Sequence, residues 1–174
     1  MTSTPTPTPP SEPLQTPLSE AALKRFLAGP VVAVLSWITQ KGEVASSPVW
    51  YEHRDGKFYL HAIDHSFKVR SMRRNPNVAL VMQDAAPPYR YVSIRATARI
   101  VDDAVATRAL VTRLARRYLG RVGGNYYLKS IYAPFEEESR LVELTPTSMT
   151  SVDGTAEMHP AALIAMKAIR AVGL

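Results

Sequence analysis

Residues 62–76 read A-I-D-H-S-F-K-V-R-S-M-R-R-N-P, and here the side chains are best placed for chemistry. Ser66 is a helix-capping residue type whose hydroxyl accepts a hydrogen bond from a free N–H of the first turn. Four cations follow within seven positions: Lys68, Arg70, Arg73 and Arg74. Pro76 disfavours a helical Asn75, so the helix stops there. The unit is therefore strand, turn, short helix, stop. Its first turn offers unpaired N–H groups and a partial positive charge, which suit an anion, and Lys68 strengthens that site. A solvated basic helix face is the alternative reading of the same residues.

Other candidates are weaker. Trp50 and Tyr51 suit a core or an interface as well as a ligand ring, and Ser46 and Ser47 suit an open strand. His61 and His65 are four apart, but a zinc site needs three or four converging ligands, so no metal is expected. Arg108, Arg113, Arg116 and Arg117 form a face that is solvated or turned to a partner. No nucleophile–base pair stands out. Hydride transfer requires none, since the cofactor does the chemistry while the protein positions it and excludes water.

The elements that must hold these residues are mostly strands. Residues 1–17 alternate Thr, Ser and Pro and are expected as a disordered tail. Ser19 caps a helix carrying Leu23, Phe26 and Leu27, stopped at Gly29-Pro30. A β-branched run at 31–35 reads as a covered strand. A second strand spans 44–51, with Pro48 marking an edge, bulge or cleft. Asp55-Gly56 is a hairpin signal leading into a third strand at 57–63, and the three form a meander. Residues 78–82 are another buried strand. Residues 89–101 alternate cleanly, with Val92, Ile94, Ala96, Ala98 and Ile100 on one face. Asp102 or Asp103 caps a helix to about Leu119, ended by Gly120 to Gly124. Residues 125–139 read as a short helix plus loop. A last strand at 141–144 is closed by Pro146, and a helix at about 160–171 follows a turn. The fold class is mainly β within α+β: a six-stranded antiparallel barrel with flanking helices. The divisions are a tail at 1–17, a barrel domain at 18–152, and a terminal turn and helix at 153–174.

With 174 residues, 46% of them hydrophobic and 21% charged, the chain suits one domain with a substantial core. Having no cysteine, it has neither disulfides nor thiolate ligands, which suits a reducing cytoplasm. A net charge of +6 favours anionic partners. No apolar run approaches a bilayer span, and no secretory signal opens the chain, so a soluble protein without membrane partners is expected. The aromatics fall mainly on buried strands rather than among exposed cations, which counts against a nucleic-acid stacking platform.

The run Ser47-Pro48-Val49-Trp50-Tyr51, a hairpin, a strand, then Ser66-x-Lys68-x-Arg70-x-x-Arg73-Arg74-Asn75-Pro76 and a buried strand resembles the flavin-binding split-barrel family. This superfamily includes pyridoxamine-phosphate oxidase. The S-P-V-W-Y strand and K-x-R-x-x-R-R-x-P helix look most like its branch using the deazaflavin coenzyme F-420. The P-Y-R-Y-V-S-I-R strand and the R-L-V-E-L-T-P ending fit the same pattern. Ser71-Met72 replaces a common Asn-Leu, and a glycine usual near Ala96 is missing. The arginine-initiated, lysine-terminated flavin motif and the glutamine segment of the oxidases are not evident, which argues against FMN oxidase chemistry.

The resemblance implies a phosphate held by Ser66, the first helical turn and Lys68, with Arg70 as a second cation. It implies a tricyclic ring along Ser47, Pro48, Val49 and Trp50, near His61 and Ala62. It also implies a homodimer with the cofactor between subunits, where Tyr89, Arg90 and Tyr91 contact it from the partner chain. The expected function is hydride transfer from reduced F-420 to a small organic acceptor. An FMN-binding oxidoreductase and a non-catalytic carrier are the alternatives.

Overall fold

The computed structural model describes residues 16–155 and 158–171. Most of the Pro/Thr-rich segment lies outside them, but Thr16 is anchored, since its carbonyl accepts from the Asp153 N–H at 2.8 Å. Helix α1 (Glu20–Ala28) starts where the Ser19 side chain accepts from the Ala22 N–H, ends at Gly29, and buries Phe26 and Leu27.

Strands β1 (Ala33–Ile38) and β2 (Val44–Val49) form an antiparallel hairpin. The second strand expected over 44–51 in fact stops at Val49. A separate short strand, β3 (Glu52–Arg54), turns through Asp55 and Gly56 into β4 (Lys57–Ile63). Both turn residues have positive φ, 52° and 73°, as this tight hairpin requires. Helix α2 (Phe67–Arg74) follows, then β5 (Asn77–Gln83) and β6 (Arg90–Val101). Helix α3 (Ala104–Tyr127) is capped by Asp103, whose side chain accepts from the Ala106 N–H. Strand β7 (Ser139–Asp153) and helix α4 (Pro160–Ala171) complete the chain.

All seven strands form one antiparallel sheet in the order β2-β1-β5-β6-β7-β4-β3. The expected meander is therefore corrected. Strands β2 and β4 do not pair, and β2 and β3 are the sheet's two opposite edges. Only residues 50 and 51 separate those edges along the chain, so the sheet has to curl until they meet. The result is a barrel with a split seam. Its strand count is seven rather than six, because the short strand β3 lies beyond the strand expected over 44–51.

The last strand is also longer than expected. Pro146 does not close it, because β7 has left β4 by that point. Leu144 is the final residue paired to β4, and Pro146 sits opposite Ala96 beside a register shift. A missing N–H costs nothing on an unpaired side.

Inside the barrel pack Leu35, Phe58, Leu60, Leu80, Met82, Ile94 and Leu144, closed off by Phe26 and Leu27 of α1 and by Val69 and Met72 of α2. The alternation expected for β6 holds: Val92, Ile94, Ala96 and Ala98 are buried. A second cluster lies outside, where Leu110 and Leu114 of α3 meet Leu141 of β7.

Glu143 on β7 is 8% exposed. It accepts from Lys57 at 3.1 Å and from Arg99 at 3.1 and 3.2 Å. Burial pushes its carboxyl up, but the bonds and charges of Lys57 and Arg99 outweigh that and hold it below the ordinary value. With a depressed folded value, its stabilisation is present above the unfolded pKa and is lost as pH falls through the folded one. Glu143→Gln should cost about 1.5–3 kcal/mol in urea denaturation at neutral pH, the range for bonds to a charged group. The gap to the unaltered protein should shrink below about pH 4.5, the carboxyl's ordinary value.

Candidate functional site

The split of the barrel produces a cavity of about 390 Å³. Pro48 and Val49 of β2 form one side, and His61, Ala62 and Ile63 of β4 the other. Ser66 and Lys68 of α2 close the polar end, while Trp50 and Tyr127 close the aromatic end and Val32 completes the lining. Pro48 lies at the sheet edge, as its missing donor demands, and this edge faces the cavity.

The cationic turn is built as its sequence indicates. Ser66 adopts φ −63° and ψ 153°, and its hydroxyl accepts from the Val69 N–H at 3.4 Å. The N–H groups of Phe67 and Lys68 precede that bond, so no helical carbonyl is available to them. Lys68 is half-buried, and its ammonium donates to Ser47 Oγ at 3.2 Å across the seam. Burial lowers its pKa. Among the described residues no carboxylate pairs with it.

The other three cations of the helix do not reach the cavity. Arg70 is exposed and donates to the His65 carbonyl at 2.9 Å. Arg73 is tied to Asp64, and Arg74 is exposed. Its three arginines thus lie on a solvated basic face, and of the four cations Lys68 alone lines the cavity.

His61 lies on the outer face of β4, edge-on to Tyr132 at 6.0 Å between ring centroids. Its Nδ1 is buried with no hydrogen-bond partner. Burial first, and then the charge of Lys68, lower its pKa to about 4. The imidazole is neutral at physiological pH. His65 points elsewhere and pairs with Glu138 at 3.2 Å. Among the described residues no group of three metal-ligating side chains exists.

The aromatic end depends on α3. Tyr118 stacks on Trp50, with centroids 5.1 Å apart and planes within 9°. Its hydroxyl donates to the Val31 carbonyl at 2.9 Å and accepts from the Tyr51 N–H at 3.3 Å, stapling the β2–β3 corner to the start of β1. Arg117 donates to the carbonyls of Leu27 and Gly29 at the end of α1 and lies over the Tyr51 ring. Of the arginine face expected to be solvated or turned to a partner, Arg108, Arg113 and Arg116 are exposed, with Arg113 forking onto Glu52 at 2.8–3.1 Å and Arg108 pairing with Glu136; Arg117 departs from it by capping α1.

The helix expected to end near Leu119 does break there. Gly120 has φ 71°, and a second helical segment begins at once. Gly124 is buried, and a Cβ placed on it would lie 2.9–3.0 Å from the backbone of Ala115 and Arg116. The second segment therefore folds back onto the first, closely enough to need glycine. One turn later it delivers Tyr127, tilted against Trp50 at 5.1 Å. The segment continues through a π-helical turn, Leu128–Tyr132, and a 3₁₀ turn, Ala133–Phe135, within the stretch 125–139 expected as a short helix plus loop.

Of the expected site residues, Pro48, Val49, Trp50, His61, Ala62, Ser66 and Lys68 converge on the cavity, and Ser47 joins them through Lys68. Within one chain Arg70, Tyr89, Arg90 and Tyr91 do not line it. Arg90 pairs with Asp84 at 2.7 Å beside a different cavity, at the cis Pro87-Pro88 loop. Tyr89 is 49% exposed. The sequence reading missed Val32, Ile63 and Tyr127. The glycine pair ahead of Asn125-Tyr126-Tyr127 was the available signal for a tight helical return carrying an aromatic.

Compared with known proteins, residues 19–162 match the family model described as Pyridoxamine 5'-phosphate oxidase. No curated protein matches. Similar solved structures include the conserved hypothetical protein Rv2991 from Mycobacterium tuberculosis, at 22% identity and TM-score 0.71 over 86% of this chain and 94% of that one. An F420 reductase matches at 22% identity and TM-score 0.62, over 72% of this chain and 94% of that one. The FAD and heme binding protein from Mycobacterium smegmatis matches at 14% identity and TM-score 0.60, over 77% and 70%. At such identities the likeness establishes the fold.

The histidine makes a pH signature. With its folded pKa depressed to about 4 against about 6.5 unfolded, the unfolded chain takes up the proton first as pH falls. Stability should therefore decline from pH 6.5 toward 4. His61→Phe should flatten that decline in denaturant titrations at stepped pH, and an unchanged slope would show that His61 is not held neutral.

Proposed function

The chain belongs to the pyridoxamine 5'-phosphate oxidase family, and from that premise we propose that it is an oxidoreductase using the deazaflavin coenzyme F-420 to reduce a small organic acceptor. A flavin-type cofactor is the broader part of this reading, and the F420 reductase among similar structures supports the narrower part.

One observation carries it: a half-buried lysine that no carboxylate neutralises, at the capped start of a helix, beside an apolar and aromatic cavity. Leaving a lysine in that state is unfavourable unless an anion arrives. A phosphate fits, held by Lys68 Nζ, the Ser66 hydroxyl and the free N–H groups of the first turn. The orphaned Nδ1 of neutral His61 fits a polar ring edge. Trp50, Pro48 and Val49 supply apolar contact for a planar ring, and with Tyr127 they exclude water. When bound, the deazaflavin supplies the hydride. The protein's part is to bind, orient and keep the site dry.

The second subunit belongs, in this reading, on the outer face of β2, β1, β5 and β6. There Pro48, Val34, Val81 and Ser93 form a cross-strand row of small or apolar side chains, with Val34 44% exposed. Arg70, Tyr89, Arg90 and Tyr91 then act on the partner's cavity rather than their own. Sedimentation equilibrium should give twice the chain mass, and Val34→Asp should shift it to the monomer. A monomeric unaltered protein would remove the paired site.

For the cofactor, the purified protein titrated with F-420 and FMN side by side, read by visible absorbance, should saturate with F-420. Lys68→Ala should weaken that binding by about 1.5–3 kcal/mol, the range for a lost hydrogen bond to a charged group. Saturation with FMN alone would replace the deazaflavin by a flavin, and undiminished affinity in the variant would remove Lys68 from the site.

A further inference from the structure

Residues 104–135 carry five arginines and one lysine and no Asp or Glu. The chain's net charge of +6 thus equals the charge of this one segment, α3 with the two turns that follow it. Three of the six cations are used within the fold: Arg108 on Glu136, Arg113 on Glu52, and Arg117 on the carbonyls at the end of α1. Arg116, Arg121 and Lys129 are exposed, and among the described residues no carboxylate pairs with them. Of the acids that come next, Glu136 and Glu138 are engaged by Arg108 and His65, and Glu137 is exposed.

Large apolar side chains stand among those cations. Val122 is 85% exposed, Tyr126 67%, Ile131 49% and Phe135 50%. Their spacing puts them in one row. Val122 and Tyr126 are four apart, about one turn of an α-helix. A π-helical turn bonds i→i+5 and so holds an extra residue, which makes Ile131, five further on, the next along the row. Phe135 follows after four more. Gly124 and Tyr132, between them in the sequence, are buried. An exposed apolar row rimmed by charge is the mark of a surface that something covers.

We propose that residues 121–135 form a peripheral membrane contact. The row lies at the boundary between headgroups and acyl chains of a bilayer containing anionic phospholipid, and Arg116, Arg121 and Lys129 meet the headgroup phosphates. No described helix is long and apolar enough to cross a bilayer, so the contact is with its surface. The expectation of no membrane partner, drawn from spanning length and a missing signal, does not address this kind of contact. Charge complementarity selects the occupant. A second copy of the chain would set six cations against six. A nucleic acid suits the cations but offers nothing apolar to Val122 and Ile131. An anionic bilayer matches both, because buried apolar area and attraction to the headgroups add at such a surface.

Flotation of the full chain with vesicles tests this, one set of phosphatidylcholine alone and one of equal parts phosphatidylcholine and phosphatidylglycerol. The chain should float with the mixed vesicles and stay behind with the neutral ones. Arg121→Gln combined with Lys129→Gln should weaken binding about 30-fold, roughly 5-fold for each cation near the surface. Val122→Ser should weaken it about 10-fold, the scale of burying one valine. Lys41→Gln, exposed on the β1–β2 turn, should leave it unchanged. The substituted side chains are exposed, so each variant should melt at the temperature of the unaltered protein. Flotation with both vesicle types equally, or with neither, overturns the proposal. So does a loss in Lys41→Gln equal to that in the double variant, which would mean adsorption by net charge alone. Undiminished binding by Val122→Ser also overturns it, since nothing apolar would then enter the bilayer. If duplex DNA binds more tightly than the mixed vesicles, and Val122→Ser leaves that binding intact, the face belongs to a nucleic acid and the proposal falls. None of these readouts involves F-420, so the cofactor reading stands or falls separately.

Discussion

Everything at the site follows from a seam that the backbone ladder cannot close. The two edge strands of the sheet are joined by residues 50 and 51, so they must approach, yet β2 and β4 do not pair. Pro48 on β2 has no N–H to offer. An edge exposed in this way must be covered or bridged by something else. Side chains do it: Lys68 to Ser47 on one side, and the Trp50–Tyr118 stack with the Tyr118 staple on the other. The cavity is the space those side chains leave, and its walls are rigid because its corners are pinned.

The distribution of charge explains why one cation out of many is chemically distinct. The chain carries 21 Lys and Arg against 15 Asp and Glu, and most arginines that could enter the site are occupied. Arg73 is held by Asp64, Arg90 by Asp84, Arg113 by Glu52 and Arg108 by Glu136. Arg117 serves the carbonyls at the end of α1. Such exposed pairs add little stability individually, but they keep arginines out of the seam. Among the described residues Lys68 is left half-buried with only a hydroxyl as partner.

Much of this was legible locally. Ser19, Ser66 and Asp103 cap helices as their residue types demand, Asp55-Gly56 makes its hairpin, and the period-two pattern of β6 puts the expected residues inside. Those signals live within a few residues of each other. What was hidden depends on distant partners. Nothing near residues 50–51 says that the strand breaks to let a sheet close, because the reason lies in β1 and β4. Nothing near Arg117 says that it serves α1, some ninety residues earlier. Pro146 looked like a stop because a strand's free side is a property of its neighbour, not of its own sequence. Tyr127 was missed for the same cause, since its role depends on a helix folding back at Gly124.

Lys68 and His61 share one cavity, and their electrostatics are coupled. Desolvation disfavours charge on both, and the lysine's charge lowers the histidine's affinity for a proton further. The pair therefore settles with one cation and one neutral ring rather than two cations. An anion bound at Lys68 would be stabilised by that single charge without a second one to repel protons or metals from the apolar end. The sealed Nδ1 of His61 then remains a neutral hydrogen-bonding group in a low-dielectric space, where each polar contact has more influence than in water. The contrast between a charged Lys68 and a neutral His61 is accordingly a consequence of burial acting on two bases at once.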